Sequence, residues 1–318
     1  MLSLKIAVDV GHGYVKGLSE TGDRVLFPSL IAPATADMNL GPLASSHSIT
    51  VQWGSQPPRS YWVGDEARLQ AISLFGSDKA SDLLTRDLTV IAASRLIHTQ
   101  DALPPLVLAV GVPLTWYGRE RQALQQALLG TVSIEGQSFD IATVQVFPQG
   151  VAAILSALPR NASPGLYGLI DIGYRTTDYL VVQVNESGLP TLVPGLAGSW
   201  EQGIHNALQT VSAHIEQQWR VSYAPHELAQ AHTITVRGHD IMVSSEIRQA
   251  LTQLGSGLTA KLQTVWAPIL PRLKTLYLVG GGVDAMSQHV GGMPTHVVPN
   301  GQWANAQGYL SALGPSVS

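Results

Sequence analysis

Leu4-Lys5-Ile6-Ala7-Val8-Asp9-Val10-Gly11-His12-Gly13-Tyr14-Val15-Lys16-Gly17 is the stretch that decides the fold. A β-branched apolar run ends in an aspartate, a Gly-x-Gly bend follows, and a second run carries a lysine. That order reads as strand, turn, strand. The same plan returns at Tyr167-Gly168-Leu169-Ile170-Asp171-Ile172-Gly173-Tyr174-Arg175-Thr176-Thr177-Asp178. Asp171 follows Asp9 by 162 residues in a chain of 318, so the two copies open two halves of similar size. Either copy alone reads equally well as an ordinary hairpin with an exposed turn aspartate. The matched pair is what carries information.

Glycine at such a bend lets the backbone approach a ligand closely, and successive amide N–H groups there form an anion-binding concavity. An aspartate at the strand end repels phosphate but can hold the waters around magnesium, which keeps much of its hydration shell. Lys16, on the outgoing strand, can neutralise phosphate charge as a point cation. Two facing hairpins are therefore expected to clamp a polyphosphate, with the metal between Asp9 and Asp171.

Composition narrows the classes. Apolar residues make up 45% of the chain and charged residues 13%, about half the usual charged share. That describes a globular protein with a sparsely charged surface. A formal charge of −4 with no long basic run argues against direct nucleic-acid binding, so any DNA contact would need an adaptor. With no cysteine, disulfides, thiolate metal sites and cysteine nucleophiles are excluded. Met1 leads into a strand without a signal-peptide pattern, and no apolar run approaches the ~20 residues needed to span a bilayer. The expectation is a cytoplasmic protein with no membrane contact.

Along the chain, Arg24–Phe27 reads as a third strand stopped by Pro28, with further strands at 48–53 and 61–64, and Asp65 as a cap for a helix from Glu66. Residues 20–80 read as a small irregular subdomain inserted in the first half. Helical periodicity runs from Ser81 to Gln100, with Leu84, Leu88, Ile91, Ala92 and Leu96 on one face. Leu106–Val112 reads as a strand buried on both faces, followed by a helix at 116–129, a hairpin from Ile134 to Phe147, and a helix begun near Pro148. The breaker-rich stretch Pro159–Gly165 reads as the boundary between halves. In the second half, the hairpin at 167–184 and a strand at 190–194 precede a helix from about Ser199 to Trp219. Residues 220–265 read as a second insertion, with strands near 233–236 and 240–243 and a helix from Ser244. A buried strand then ends in Gly280, Gly281 and Gly282, where a flat base or ribose can lie against backbone. The last helix opens on small residues at 304, 306 and 308, and with Gly150, Ala152 and Ala153 it suggests two closely crossing helices. The ten histidines show no helical pairing, and Trp200, Trp219 and Trp266 read as packing residues.

Five segments in this order resemble the signature of the actin, sugar-kinase and heat-shock-chaperone ATPase superfamily. Asp9-x-Gly11-x-Gly13-x-x-Lys16 resembles its first phosphate motif and Asp171–Asp178 its second. Gln149 and the helix after it resemble the first connecting helix, Leu278–Gly282 the adenosine motif, and Ala304–Tyr309 the second connecting helix. Within the superfamily, Arg175-Thr176-Thr177-Asp178, Tyr61-Trp62-Val63-Gly64-Asp65-Glu66-Ala67 and Phe27-Pro28-Ser29-Leu30 are most similar to the ParM/StbA group of prokaryotic actin-like proteins, archaeal relatives included. The resemblance implies an α/β chain of two similar mixed-sheet halves, the actin-like ATPase (ribonuclease H-like) fold, with a nucleotide cleft between them. Domain I is expected at 1–158 plus 304–318, and domain II at 159–303.

By that resemblance, ATP or GTP with magnesium is the cofactor, and Asp9 and Asp171 hold the metal largely through water. Lys16, with the turns at Gly11, His12, Gly13 and Tyr14 and at Gly173, Tyr174, Arg175 and Thr176, contacts phosphate. Gly280, Gly281 and Gly282 meet the nucleoside, and Gln149 orients the attacking water in slow hydrolysis. Glutamine cannot act as a base, so its part is positioning. Self-association into filaments, a DNA-binding adaptor, and plasmid segregation or cytoskeletal work follow from the group. A small-molecule kinase of the same fold is the rival, but no cleft aspartate stands out as its base. A chaperone-type ATPase would need a peptide-binding domain after residue 318. A non-catalytic nucleotide-binding scaffold fits the intact Asp9, Lys16, Gln149 and Asp171 set less well.

Overall fold

A computed structural model describes residues 3–34, 48–70, 79–98, 103–288 and 294–314. The chain divides into two compact units, Met1–Ser156 with Asn305–Ser318, and Ala157–Ala304. No helix among the described residues is long and apolar enough to cross a membrane.

The first unit contains β1 (Leu4–Val10), β2 (Tyr14–Ser19), β3 (Arg24–Pro28), β4 (Ile31–Pro33), β5 (Ile49–Trp53), β6 (Arg59–Val63) and α1 (Leu83–Ser94). These are followed by β7 (Leu106–Val112), α2 (Tyr117–Leu128), β8 (Gly130–Ile134), β9 (Gln137–Pro148) and α3 (Val151–Ala157). Among the described residues its sheet has nine strands in the order β3-β2-β1-β7-β9-β8-β5-β6-β4. The central pairs β1–β7 and β7–β9 are parallel, and the hairpins to either side are antiparallel. Parallel strands need cover on both faces, which is why Ile6, Val8, Leu106 and Leu108 sit in continuous apolar runs that are fully buried. The described part of residues 20–80 supplies β3 to β6, all of them strands of this sheet.

The second unit contains β10 (Gly165–Ile172), β11 (Thr177–Val184), β12 (Pro190–Leu192), β13 (Gly198–Trp200), α4 (Ile204–Trp219) and α5 (Pro225–Leu228). After these come β14 (Thr233–Val236), β15 (His239–Met242), α6 (Ser244–Trp266), β16 (Leu273–Val279), α7 (Val283–Met286) and β17 (Thr295–Val297). Its sheet runs β12-β11-β10-β16-β17, with β13 also on β11. β10–β16 is parallel and β10–β11 antiparallel, the same local scheme as β7-β1-β2. Trp266 is fully buried beneath this sheet, its indole N–H donating to the Leu196 carbonyl. The hairpin β14–β15 packs Ile234 and Val236 with Leu208, Val211 and Ile215 of α4. α8 (Ala304–Ala312) ends the described chain.

Several local expectations change. Pro148 closes β9 instead of opening a helix, because Gly150 takes a left-handed φ of 77° and α3 starts only at Val151. Glu66 lies in a short 3-10 turn, Gly64–Ala67, with no side-chain cap from Asp65. Trp200 is on a strand, stacked on Tyr179 with ring centroids 4.3 Å apart, and the following helix begins at Ile204. The expected helix from Ser81 is α1, capped by Asp82, whose carboxylate accepts from the Leu84 and Thr85 amides. Residues 99–100 of that expected helix lie outside the described residues.

One buried ion fastens the outer strands of the first sheet. Asp87 of α1 is fully buried and accepts four hydrogen bonds. Trp53 Nε1 (3.0 Å) and Arg59 Nη2 (2.9 Å) reach Oδ1, while Arg59 Nε (3.0 Å) and the Tyr61 hydroxyl (2.9 Å) reach Oδ2. Burial and the adjacent carboxylate push the Tyr61 phenol up to about 12, so it stays a donor. Arg86 lies over the Trp53 ring, 3.6 Å from its centroid. Removing the carboxylate strands two buried donors, Trp53 and Tyr61, and the half-buried Arg59. Asp87→Ala is expected to destabilise the protein by roughly 3 kcal/mol, the range for a broken buried pair. Thermal and urea unfolding measure this, and a loss under ~1 kcal/mol contradicts it.

Candidate functional site

In the first unit the site grows from the cross-strand register. Asp9 of β1 stands opposite Lys16 of β2, so both side chains leave the same face. Lys16 Nζ lies 3.1 Å from Asp9 Oδ2, and Gln149 Nε2 donates to Oδ1 at 2.9 Å. Asp9 is only 3% exposed. Burial alone raises a carboxylate pKa, but the charges of Lys16 and Lys79 and the Gln149 and Lys16 hydrogen bonds outweigh it and hold Asp9 below its usual value. The ion is therefore kept charged inside the protein by one amide and two cations.

The turn after Asp9 is fixed from below. The Gly11 amide donates to the Tyr14 carbonyl, the Ser29 hydroxyl donates to the Gly11 carbonyl at 2.6 Å, and the Ser29 amide donates to the Gly13 carbonyl. Gln149 sits in the turn between β9 and α3, its amide bonded to the Val112 carbonyl. The next amide, Gly150, donates to Asn305 Oδ1 of α8 at 2.9 Å. α8 packs against α3 so closely that a methyl on Gly308 would run into the Ala152 carbonyl. Small residues at the crossing thus set the place of Gln149 through Gly150 and Asn305.

In the second unit Asp171 faces Asp178 across the β10–β11 pair, so a carboxylate occupies the position that Lys16 holds in the first hairpin. The Gly173 amide closes its turn on the Thr176 carbonyl, as Gly11 does on Tyr14. Both amides are thus taken up within their own turns. The turn at 173–174 is held by the start of α4. The Ile204 amide bonds the Gly173 carbonyl and the His205 amide bonds the Tyr174 carbonyl, while a side chain at Gly203 would strike both carbonyls. The His205 ring meets Tyr174 edge-on with centroids 5.4 Å apart, and burial with the nearby Arg175 lowers its pKa, leaving it neutral at pH 7.

The three glycines after β16 divide their work. Gly280, at φ 99°, passes directly over the Asp171 carboxylate, and Gly282 donates its amide to the Ile172 carbonyl and lies against Ile172 and Ile204. A Cβ at Gly281 would meet nothing within 4 Å. Two glycines allow the turn to seat on β10, and the middle one presents open backbone.

Asp9, Lys16 and Gln149 therefore converge in one unit, on the turn Gly11, His12, Gly13 and Tyr14. Asp171, the turn Gly173, Tyr174, Arg175 and Thr176, and Gly280–Gly282 converge in the other. Sequence reading assigned no part to Ser29 and Asn305, which hold the turns by hydrogen bonds although both lie in family-like segments, nor to Lys79. For a metal, each Asp9 oxygen has one donor and a second lone pair that can accept a water ligand. No group of three or more His, Asp and Glu able to hold a metal ion occurs among the described residues. Those open lone pairs on Asp9 are of the oxygen type that accepts hydrogen bonds from a hydrated magnesium ion's own waters.

Two family models match, one described as the actin-like proteins N-terminal domain over residues 7–151 and the other as the archaeal actin homologue MreB-like C-terminal domain over 169–292. An archaeal actin homolog from Thermoplasma acidophilum is 26% identical over 96% of this chain and 98% of its own. A 15-stranded ParM filament from Clostridium botulinum has a subunit that superposes with a TM-score of 0.82 at 21% identity, covering 98% of this chain and 99% of that one. Ta0583, an archaeal actin homolog in complex with ADP, superposes at 0.78 with 22% identity over the same shares. The mixed α/β architecture is the actin-like one, and this chain belongs to the family of actin-like proteins.

Proposed function

We propose that the chain binds ATP or GTP with magnesium, hydrolyses it slowly, and assembles into filaments in the cytoplasm. It would serve plasmid segregation through a DNA-binding adaptor, or other cytoskeletal work. The observation that carries this reading is Asp9, buried and held charged, with Lys16 on one oxygen and Gln149 on the other. An arrangement of carboxylate, cation and amide around one turn suits a hydrated metal, a phosphate and a water. The likeness to an ADP complex of one relative and to a ParM filament supports the nucleotide and the assembly.

In this reading both turns serve one nucleotide, with Asp9 and Asp171 accepting hydrogen bonds from the metal's waters. Magnesium, when bound, neutralises phosphate charge. Lys16 contributes a point cation to the same end. Donation from the Gln149 amide nitrogen to Asp9 leaves its amide oxygen to accept from the attacking water. That water forms the new bond to the terminal phosphorus as the bridging bond breaks, yielding the diphosphate and inorganic phosphate. Phosphoryl transfer relies on such positioning more than on proton abstraction. The nucleoside lies against Gly281.

A single assay follows phosphate release and light scattering together after ATP or GTP is added with magnesium. Wild type is expected to release phosphate and to scatter above a critical concentration. Gln149→Ala is expected to keep nucleotide affinity and lose ~10²-fold in hydrolysis, the range of a positioning group. Unchanged turnover in the variant removes Gln149 from the mechanism, and a flat scattering trace at every concentration argues against assembly. A second variant tests the nucleoside contact. Gly281→Val is expected to weaken nucleotide binding by about tenfold or more, a loss of ~1.4 kcal/mol, with the melting temperature of the free protein unchanged. Wild-type affinity in that variant would place the nucleoside elsewhere.

A further inference from the structure

We propose that Lys79 is a positioning residue for nucleotide binding, a fixed second cation that keeps Asp9 compensated when Lys16 moves from Asp9 to a phosphate. This rests on the nucleotide-binding reading above, and it assigns a part to a residue outside the five family-like segments.

Lys79 is 2% exposed, although lysine is almost never buried without a reason. Its ammonium donates to the carbonyl of Val10 at 2.7 Å, the residue between Asp9 and the Gly11 turn. Its own amide donates to Glu120 Oε2 at 3.0 Å, and Glu120 is a buried carboxylate of α2 whose other oxygen accepts from Arg119. The lysine is therefore held at both ends, by α2 at its backbone and by the strand end at its side chain. Lys16 is held differently. Among the described residues its one side-chain hydrogen bond is to Asp9, a group that a metal-bound nucleotide would also engage.

That difference decides the charge arithmetic. Among the described residues, the Asp9 carboxylate feels two ammonium groups, those of Lys16 and Lys79. If Lys16 alone compensated Asp9, transferring it to a phosphate would leave a buried carboxylate facing an incoming polyanion, which is strongly unfavourable. With Lys79 fixed behind Val10, the carboxylate keeps one cation throughout, and Lys16 is released to bind the ligand. Lys79 also biases the pocket toward anions before any metal arrives. The Lys79–Val10 bond in addition ties the turn to α2, so the turn's geometry and its charge share one anchor.

ADP titration calorimetry in EDTA, on the full chain, isolates this from the metal. Lys79→Gln retains a donor for Val10 but removes the charge, and it is expected to weaken ADP by about tenfold. Lys79→Arg is expected to restore most of that affinity, which a purely structural role would not require. Lys16→Met is expected to cost much less affinity in the Lys79→Gln background than in wild type, because Lys16 then stays on Asp9. Wild-type ADP affinity in Lys79→Gln, or strictly additive losses in the double variant, overturns the proposal while leaving the nucleotide reading intact. Failure of wild type itself to bind ADP overturns both. Should Lys79→Gln fail to fold, lysine ammonium NMR of wild type decides: ADP should shift the Lys16 signal and leave that of Lys79 in place. A Lys79 signal that moves as far as that of Lys16 contradicts a fixed cation.

Discussion

A carboxylate placed at the buried end of a central strand is the constraint on which the rest of the first unit depends. Asp9 is almost without solvent, and an isolated buried charge would be several kcal/mol too costly to keep. Each neighbour answers that cost from a different part of the chain. Lys16 comes from the paired strand, Gln149 from the turn after the longest strand of the sheet, and the charge of Lys79 from the approach to α1. Their supports reach further, to Ser29 after β3, Glu120 on α2 and Asn305 on α8. The site is therefore a consequence of the topology that brings β1, β2, β9 and α8 to one end of one sheet.

The second unit repeats the plan with a different charge. Asp178 stands where the first hairpin has Lys16, so the two turns share geometry and differ in electrostatics. The closing hydrogen bond from the first glycine recurs in both, and both turns are held from outside: one by Ser29, the other by the first amides of α4. The backbone cradle is the same in both, while the side chains across from the two aspartates differ. On the proposed function each hairpin offers a carboxylate to the metal's waters, and the first adds, across from it, a cation for the phosphates.

Much of this was legible in the residues because it depends on local chemistry. A β-branched run ending in Asp-x-Gly-x-Gly specifies strand and turn together, so both hairpins, the buried strand Leu106–Val112 and the glycine turn after β16 fall where their sequences put them. Helix starts were less legible. Pro148 has the look of a first-turn proline, yet Gly150 must adopt positive φ to let its amide reach Asn305, a partner 155 residues away. Trp200 joins a strand because Tyr179 offers it a stacking surface, which no local pattern announces. Lys79 was hidden for the same reason: burial of a lysine is decided by Val10 and Glu120, both distant in sequence. Nor could three adjacent glycines reveal that two are needed for packing and one faces open space.

The central claim is that Lys16 is held on Asp9 only until a phosphate replaces it. A crystal structure of the protein with magnesium and a non-hydrolysable triphosphate tests this most directly. The expected result is Lys16 Nζ within ~3 Å of a phosphate oxygen and parted from Asp9, with a metal-bound water on the carboxylate instead. A triphosphate bound elsewhere, with the Lys16–Asp9 pair still closed at its present separation, would contradict it.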